Sequence, residues 1–132
     1  MVVDMEMKDL ITFCQNWLTS WTGNNPEKLI SFYSKTAYYQ DPANPKGLKG
    51  HDNLFPYFKI LLAANPKWIW KMTEVYPTQK GFILKWRATI PIKSEEIIEY
   101  GMDLLELEAN KIIRNEVYFD RTELISLLKS GK

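Results

Sequence analysis

The hydrophobic period of this chain changes once, from helical to strand-like, and that change limits the folds open to it. Leu10, Phe13, Cys14, Trp17, Leu18 and Trp21 recur at spacings of three and four, which predicts an amphipathic helix with a wide apolar stripe. Further on, Phe82, Leu84, Trp86, Ala88 and Ile90 alternate with Ile83, Lys85, Arg87 and Thr89, the period of a strand with one buried face. Between these, Gly23-Asn24-Asn25 stops the first helix. Asn25 as N-cap, with Pro26 at the first helical position, opens a short second helix running to Tyr33. Ala37 to Gln40 is a short β-prone run ending at Asp41-Pro42, and a turn-rich stretch, Ala43 to Gly50, follows. Leu54, Phe55, Phe58, Leu61 and Leu62 mark a third helix, with Pro56 acceptable only in its first turn. Lys67–Tyr76, Ile97–Glu108 and Ile112–Phe119 read as further strands, and Thr122–Lys129 as a short closing helix. Helices first and hairpin-linked strands after predict an α+β domain: a strongly curved, cone-shaped antiparallel sheet covered on one face by three N-terminal helices. No repeat or linker interrupts the chain, so residues 1–132 are expected to form one domain.

Composition narrows what such a domain does. Aromatic residues make up 14% of the chain, five of them Trp, more than a minimal core needs. Large aromatics either fill a core or line an apolar cavity. Seventeen basic residues stand against sixteen acidic ones, with no long run of either sign. That argues against a nucleic-acid footprint or a polybasic membrane patch. No stretch approaches the roughly 18 apolar residues of a spanning helix, and Met1 to Lys8 mixes charges in a way no signal peptide does. A single cysteine, Cys14, forms no internal disulfide and fits a cytoplasmic protein. One histidine and one cysteine leave little for a zinc site. Without a Gly-rich phosphate loop or a nucleophile elbow, neither metal nor other cofactor is expected.

Three carboxylates stand out. Asp103 lies on a strand face shared with Gly101, Leu105 and Leu107. A carboxylate there must be paired, protonated or solvated in a cavity; Arg87 and Lys85 are possible strand partners. Asp41 precedes Pro42, and Asp-Pro is also a common turn starter. Asp120 ends the last strand, where it reads first as an N-cap with Glu123 three residues on. Trp17, Phe55 and Phe58 at helical spacing are core or cavity, as are Tyr39, Trp86 and Phe119 on strands.

The order of elements, with Asp41-Pro42, Gly47 and Gly50 ahead of a helix bearing Phe55 and Phe58, resembles the nuclear transport factor 2-like superfamily. Within it the chain is similar to SnoaL-like polyketide cyclases and ketosteroid isomerases. Tyr38-Tyr39-Gln40-Asp41-Pro42 resembles the isomerases' general-base segment, and Gly101-Met102-Asp103-Leu104-Leu105 resembles the strand of their oxyanion-hole acid. The likeness runs from about Trp17 to Asp120. It implies a cone whose open end holds an apolar small molecule, with Trp17, Tyr39, Phe55, Phe58, Trp86 and Phe119 as the wall. It also implies cofactor-free proton transfer beside a carbonyl, with Asp41 as base, Asp103 as protonated donor and Asp120 as a second candidate acid/base. Trp17 stands where those isomerases keep a tyrosine, so one donor differs in kind. The non-catalytic alternative is the same fold used to bind a ligand or a protein. Apolar side chains such as Trp86, Leu104 and Val117 supply both strand faces, and relatives commonly dimerise through the sheet, so a homodimer is expected.

Overall fold

Two hairpin-linked groups of strands make one six-stranded sheet. The computed structural model describes residues 6–130, with α1 at Met7–Thr19, α2 at Pro26–Ile30, β1 at Tyr33–Asp41, β2 at Asn44–Lys49 and α3 at His51–Ala64. The remaining elements are β3 (Ile69–Pro77), β4 (Gly81–Ile92), β5 (Glu95–Glu108), β6 (Lys111–Tyr118) and α4 (Thr122–Ser130). Residues 1–5, part of the segment read above as no signal peptide, lie outside the described residues, as do 131 and 132.

The strand order is β2-β1-β6-β5-β4-β3. Every neighbouring pair is antiparallel except β1 and β6, which run parallel, with Tyr39 opposite Asn115. The sheet is therefore mixed, and the expectation of a wholly antiparallel one is corrected. A hairpin forces antiparallel pairing. The chain between β1 and β6 instead contains β2, α3 and β3 to β5, so this pair is free to be parallel.

The local signals mostly act as expected. The Asn25 side chain accepts from the Lys28 N–H at 3.1 Å, and Pro26 opens α2. The apolar stripe of α1 buries Leu10, Cys14, Trp17 and Leu18 against the sheet. Pro56 departs from expectation, lying one and a half turns into α3. There it removes the bond to the Asp52 carbonyl, but both residues are exposed, so water can serve that oxygen. The stretch read as turns, Ala43 to Gly50, holds β2 instead. Because β2 is an edge strand, Pro45 is tolerated within it.

The helices lie on one face of the sheet. Its other face carries Tyr76, Tyr100, Met102 and Tyr118, all exposed, with Met102 opposite Lys85 and Tyr118. Among the described residues, no helix is long and apolar enough to cross a membrane.

Candidate functional site

Asp103 is the centre of a buried polar chain that begins on α1. The Trp17 indole N–H donates to the Tyr33 hydroxyl (3.2 Å), which donates to Asn115 Oδ1 (2.7 Å). The Asn115 Nδ2 then donates to Asp103 Oδ2 (2.9 Å), while the Trp86 indole donates to Asp103 Oδ1 (2.7 Å). An indole N–H can only donate, so Trp17 sets the polarity of the chain and aims the Asn115 amide at the carboxyl. Asp103 is 3% exposed. Neither strand partner named above reaches it: Lys85 pairs with Glu74, and Arg87 is exposed. Burial pushes the Asp103 carboxyl up to about 7; the bonds from Asn115 and Trp86 pull it down, and Asp41 pushes it up. Asp103 thus titrates near neutrality.

This has a consequence for stability with a definite sign. The folded state holds the Asp103 proton to about pH 7, whereas the unfolded chain releases it near 3.8. Folded protein therefore binds more protons between those values, and stability falls as pH rises through that window. Glu74, Glu116 and Asp120, held below their usual range by hydrogen bonds, act in the opposite sense but at more acid pH. From about pH 5 to 8 the wild type should lose stability by up to a few kcal/mol. Asp103→Leu should flatten that slope. Denaturant midpoints across the window check it, and a wild-type midpoint that rises with pH would count against the assignment.

Asp41 has a different environment. Its Oδ1 accepts from the Ala43 N–H (3.0 Å), the Asn44 N–H (2.9 Å) and the Asn44 Nδ2 (3.0 Å). Its Oδ2 accepts from the hydroxyls of Tyr39 (2.8 Å) and Tyr57 (2.5 Å). A carboxylate has about four acceptor positions, and these five donors fill them. Burial first, and Asp41 next, hold the Tyr39 phenol protonated far above its usual range. Tyr57 is raised by burial and by its bond to Asp41.

Both carboxylates line one cavity of about 230 Å³. Its wall is largely apolar, aromatic and aliphatic side chains in similar number, and includes Trp17, Trp21, Tyr57, Trp68 and Trp70. Of the residues expected there, Trp17, Tyr39, Trp86 and Phe119 line it. Phe55 and Phe58 do not. Phe58 is wholly buried, 5.3 Å from the ring centres of Trp21, Tyr33 and Tyr39, because it shares the sheet-facing stripe of Leu54 and Leu62. Phe55 is half-buried under the Lys59 ammonium. From α3 the cavity is lined by Tyr57, Leu61 and Leu62, and from its C-cap by Asn65. Asp120 is also elsewhere: it is exposed, accepts from the Thr122 N–H (2.9 Å) and hydroxyl (2.6 Å), and so orders the start of α4. From α4, Leu124, Ile125 and Leu128 complete the wall.

Comparison with known proteins places this arrangement. The SnoaL-like domain model matches residues 14–115. The chain belongs to the SnoaL-like domain family. No curated protein matches it significantly. Among solved structures, a putative polyketide cyclase from Acidithiobacillus ferrooxidans is 18% identical over 100% of both chains, with TM-score 0.76. A protein of ketosteroid isomerase-like fold from Catenulispora acidiphila, described in complex with trimethylamine, is 17% identical over 86% of this chain and 89% of that one, with TM-score 0.76. TerC, co-crystallised with polyporic acid, is 10% identical over 91% and 98%, with TM-score 0.75. At these identities the neighbours establish the fold, and the family resemblance read from the sequence holds.

The polar chain behind Asp103 escaped sequence reasoning. Asn115 was the available signal, an amide whose alternate neighbours, Ile113 and Val117, are apolar, on a strand opposite the Asp103 strand. Tyr57 had none, because its hydroxyl partner lies on another element.

Proposed function

We propose that this SnoaL-like domain binds a small, largely apolar molecule in its aromatic cavity, and that Asp103 exchanges a proton with it without a cofactor. The observation carrying this reading is the Asp103 carboxyl: buried, on the cavity wall, held by two neutral donors and titrating near pH 7. A general acid/base works best when its pKa is near the operating pH. Asp41, with five donors, serves instead to fix Tyr39 and Tyr57. Trp70 also lines the cavity, and its indole N–H is buried with no partner among the described residues. In this reading Asp103 removes a proton from the carbon beside a carbonyl, the Trp70 N–H bonds the enolate oxygen, and the proton returns from Asp103 to carbon. Neighbours described with trimethylamine and polyporic acid support small-molecule binding by the fold.

The test is hydrogen–deuterium exchange and double-bond migration in 3-cyclohexen-1-one, a ketone small enough for the cavity. The rate should rise with pH through about 7 and drop by roughly 10²-fold or more in Asp103→Leu. Asp41→Asn should stay within about tenfold once its folded fraction is counted. Exchange abolished in Asp41→Asn and kept in Asp103→Leu would reverse the roles. A ketone that binds without exchange would make the domain a binding module.

A further inference from the structure

The charge balance inside the cavity is uneven. Its lining residues include two carboxylates, Asp41 and Asp103, and one cation, Arg121, with no lysine or histidine. The influence of Arg121 falls on Tyr57, the phenol bonded to Asp41, whereas the groups acting on Asp103 include no cation. Among the described residues, Asp103 makes no ion pair; Lys85 and Arg114 make those that occur, with Glu74, Glu106 and Glu116. A buried carboxylate held by neutral donors alone is strongly disfavoured once ionised. A ligand that brought a positive charge would relieve that.

The wall suits such a ligand. Aromatic rings attract cations to their faces, most strongly where water is excluded, and alkylated ammonium ions are the cations such cages hold. Size is compatible: a cavity of about 150 Å³ accepts benzene, so 230 Å³ admits a small alkylammonium. From the uncompensated Asp103, the aromatic wall and the volume, we infer that the cavity selects cations, seating the ammonium head of a small alkylated amine against Asp103 among Trp17, Trp70, Trp86 and Tyr39. This rests on the binding half of the proposed function and names its ligand class.

The pH dependence follows from the groups that face Asp103. These are Cys14 on α1 and Tyr33 and Asp41 on β1, with Trp86 on β4 and Asn115 on β6 as uncharged donors. Burial pushes the Cys14 thiol up to about 12 and the Tyr33 phenol well above its usual range, so both stay neutral at physiological pH. Ionisation of Asp103 then controls cation binding, which strengthens as pH rises through about 7.

The decisive comparison is choline against 3,3-dimethylbutan-1-ol, which has the same shape with carbon in place of the charged nitrogen. Tryptophan fluorescence of the full chain is titrated with each at about pH 6 and about pH 8.5, on either side of neutrality. At the higher pH choline should bind at least about tenfold more tightly than the alcohol, and its affinity should fall about tenfold at the lower pH. The alcohol should change by less than about twofold. By reciprocity, saturating choline should move the Asp103 carbon-13 titration to lower pH. These wild-type measurements do not depend on a variant folding; in a folded Asp103→Asn the preference between probes should vanish. Equal binding of the two probes, choline binding indifferent to pH, or an unmoved Asp103 titration would overturn the inference. If the alcohol alone binds, the cavity remains a small-molecule site and only the cation preference is wrong. If neither binds, the binding reading falls with it.

Discussion

Asp41→Ala should lower stability by about 3–5 kcal/mol, because it strips one acceptor group from five donors at once. The backbone N–H groups of Ala43 and Asn44 and the Asn44 amide would lose Oδ1, and the hydroxyls of Tyr39 and Tyr57 would lose Oδ2. Tyr39 is 2% exposed, so water cannot readily replace the carboxylate there. For a chain of this size the melting temperature should fall by roughly 10–20 °C. Asp41→Asn should be milder, about 1–2 kcal/mol, since its amide oxygen can keep the turn and the phenols can turn to accept from its NH₂. Thermal unfolding by circular dichroism measures both. An alanine variant within about 1 kcal/mol of wild type would mean the five bonds contribute little net stability.

Gly101→Ala should damage fold and site together. A Cβ at that position would lie 2.4 Å and 2.6 Å from atoms of the Trp86 ring and 2.8 Å from the Phe119 Cβ. The ring must move, and its indole N–H makes one of the two side-chain hydrogen bonds to Asp103 among the described residues. Overpacking of this kind costs about 1–3 kcal/mol, and a carboxylate deprived of a donor adds about 1–3 kcal/mol. The loss should therefore be roughly 2–5 kcal/mol, with ligand affinity reduced by about tenfold or more and the Asp103 titration moved above its wild-type position. Urea unfolding and carbon-13 titration check both parts. A variant with normal stability and an unmoved Asp103 would show that Trp86 has room to retreat.

Where one residue pattern determines one element, the fold was legible. The stripe of α1, the Asn25-Pro26 start of α2 and the alternation along β4 each depend on neighbours in sequence. Asp103 was legible for the same reason, as a carboxylate on an apolar strand face. The parallel pairing of β1 and β6 was not, because no local rule links strands so far apart. The identity of the wall was only half legible. Helical spacing marked both faces of α3 as apolar without saying that Phe58 packs on the sheet while Tyr57 meets the cavity. Asp-Pro named a corner and a candidate base at once. The donors around Asp41, two of them phenols from β1 and α3, were not legible at all, and the proposed division of roles rests on them.

The seam between β1 and β6 also orders events during folding. The β3–β6 meander can form from contacts close in sequence, and so can the β1–β2 hairpin. Joining them closes a long loop, the slow kind of step in a sheet. The Tyr33–Asn115 hydrogen bond crosses this seam between residues 82 apart. Both donors to Asp103, Trp86 on β4 and Asn115 on β6, lie within the meander, but Tyr33 behind Asn115 and Trp17 on α1 come from the other part of the chain. The burial that holds the Asp103 proton is therefore complete only when β1 pairs with β6.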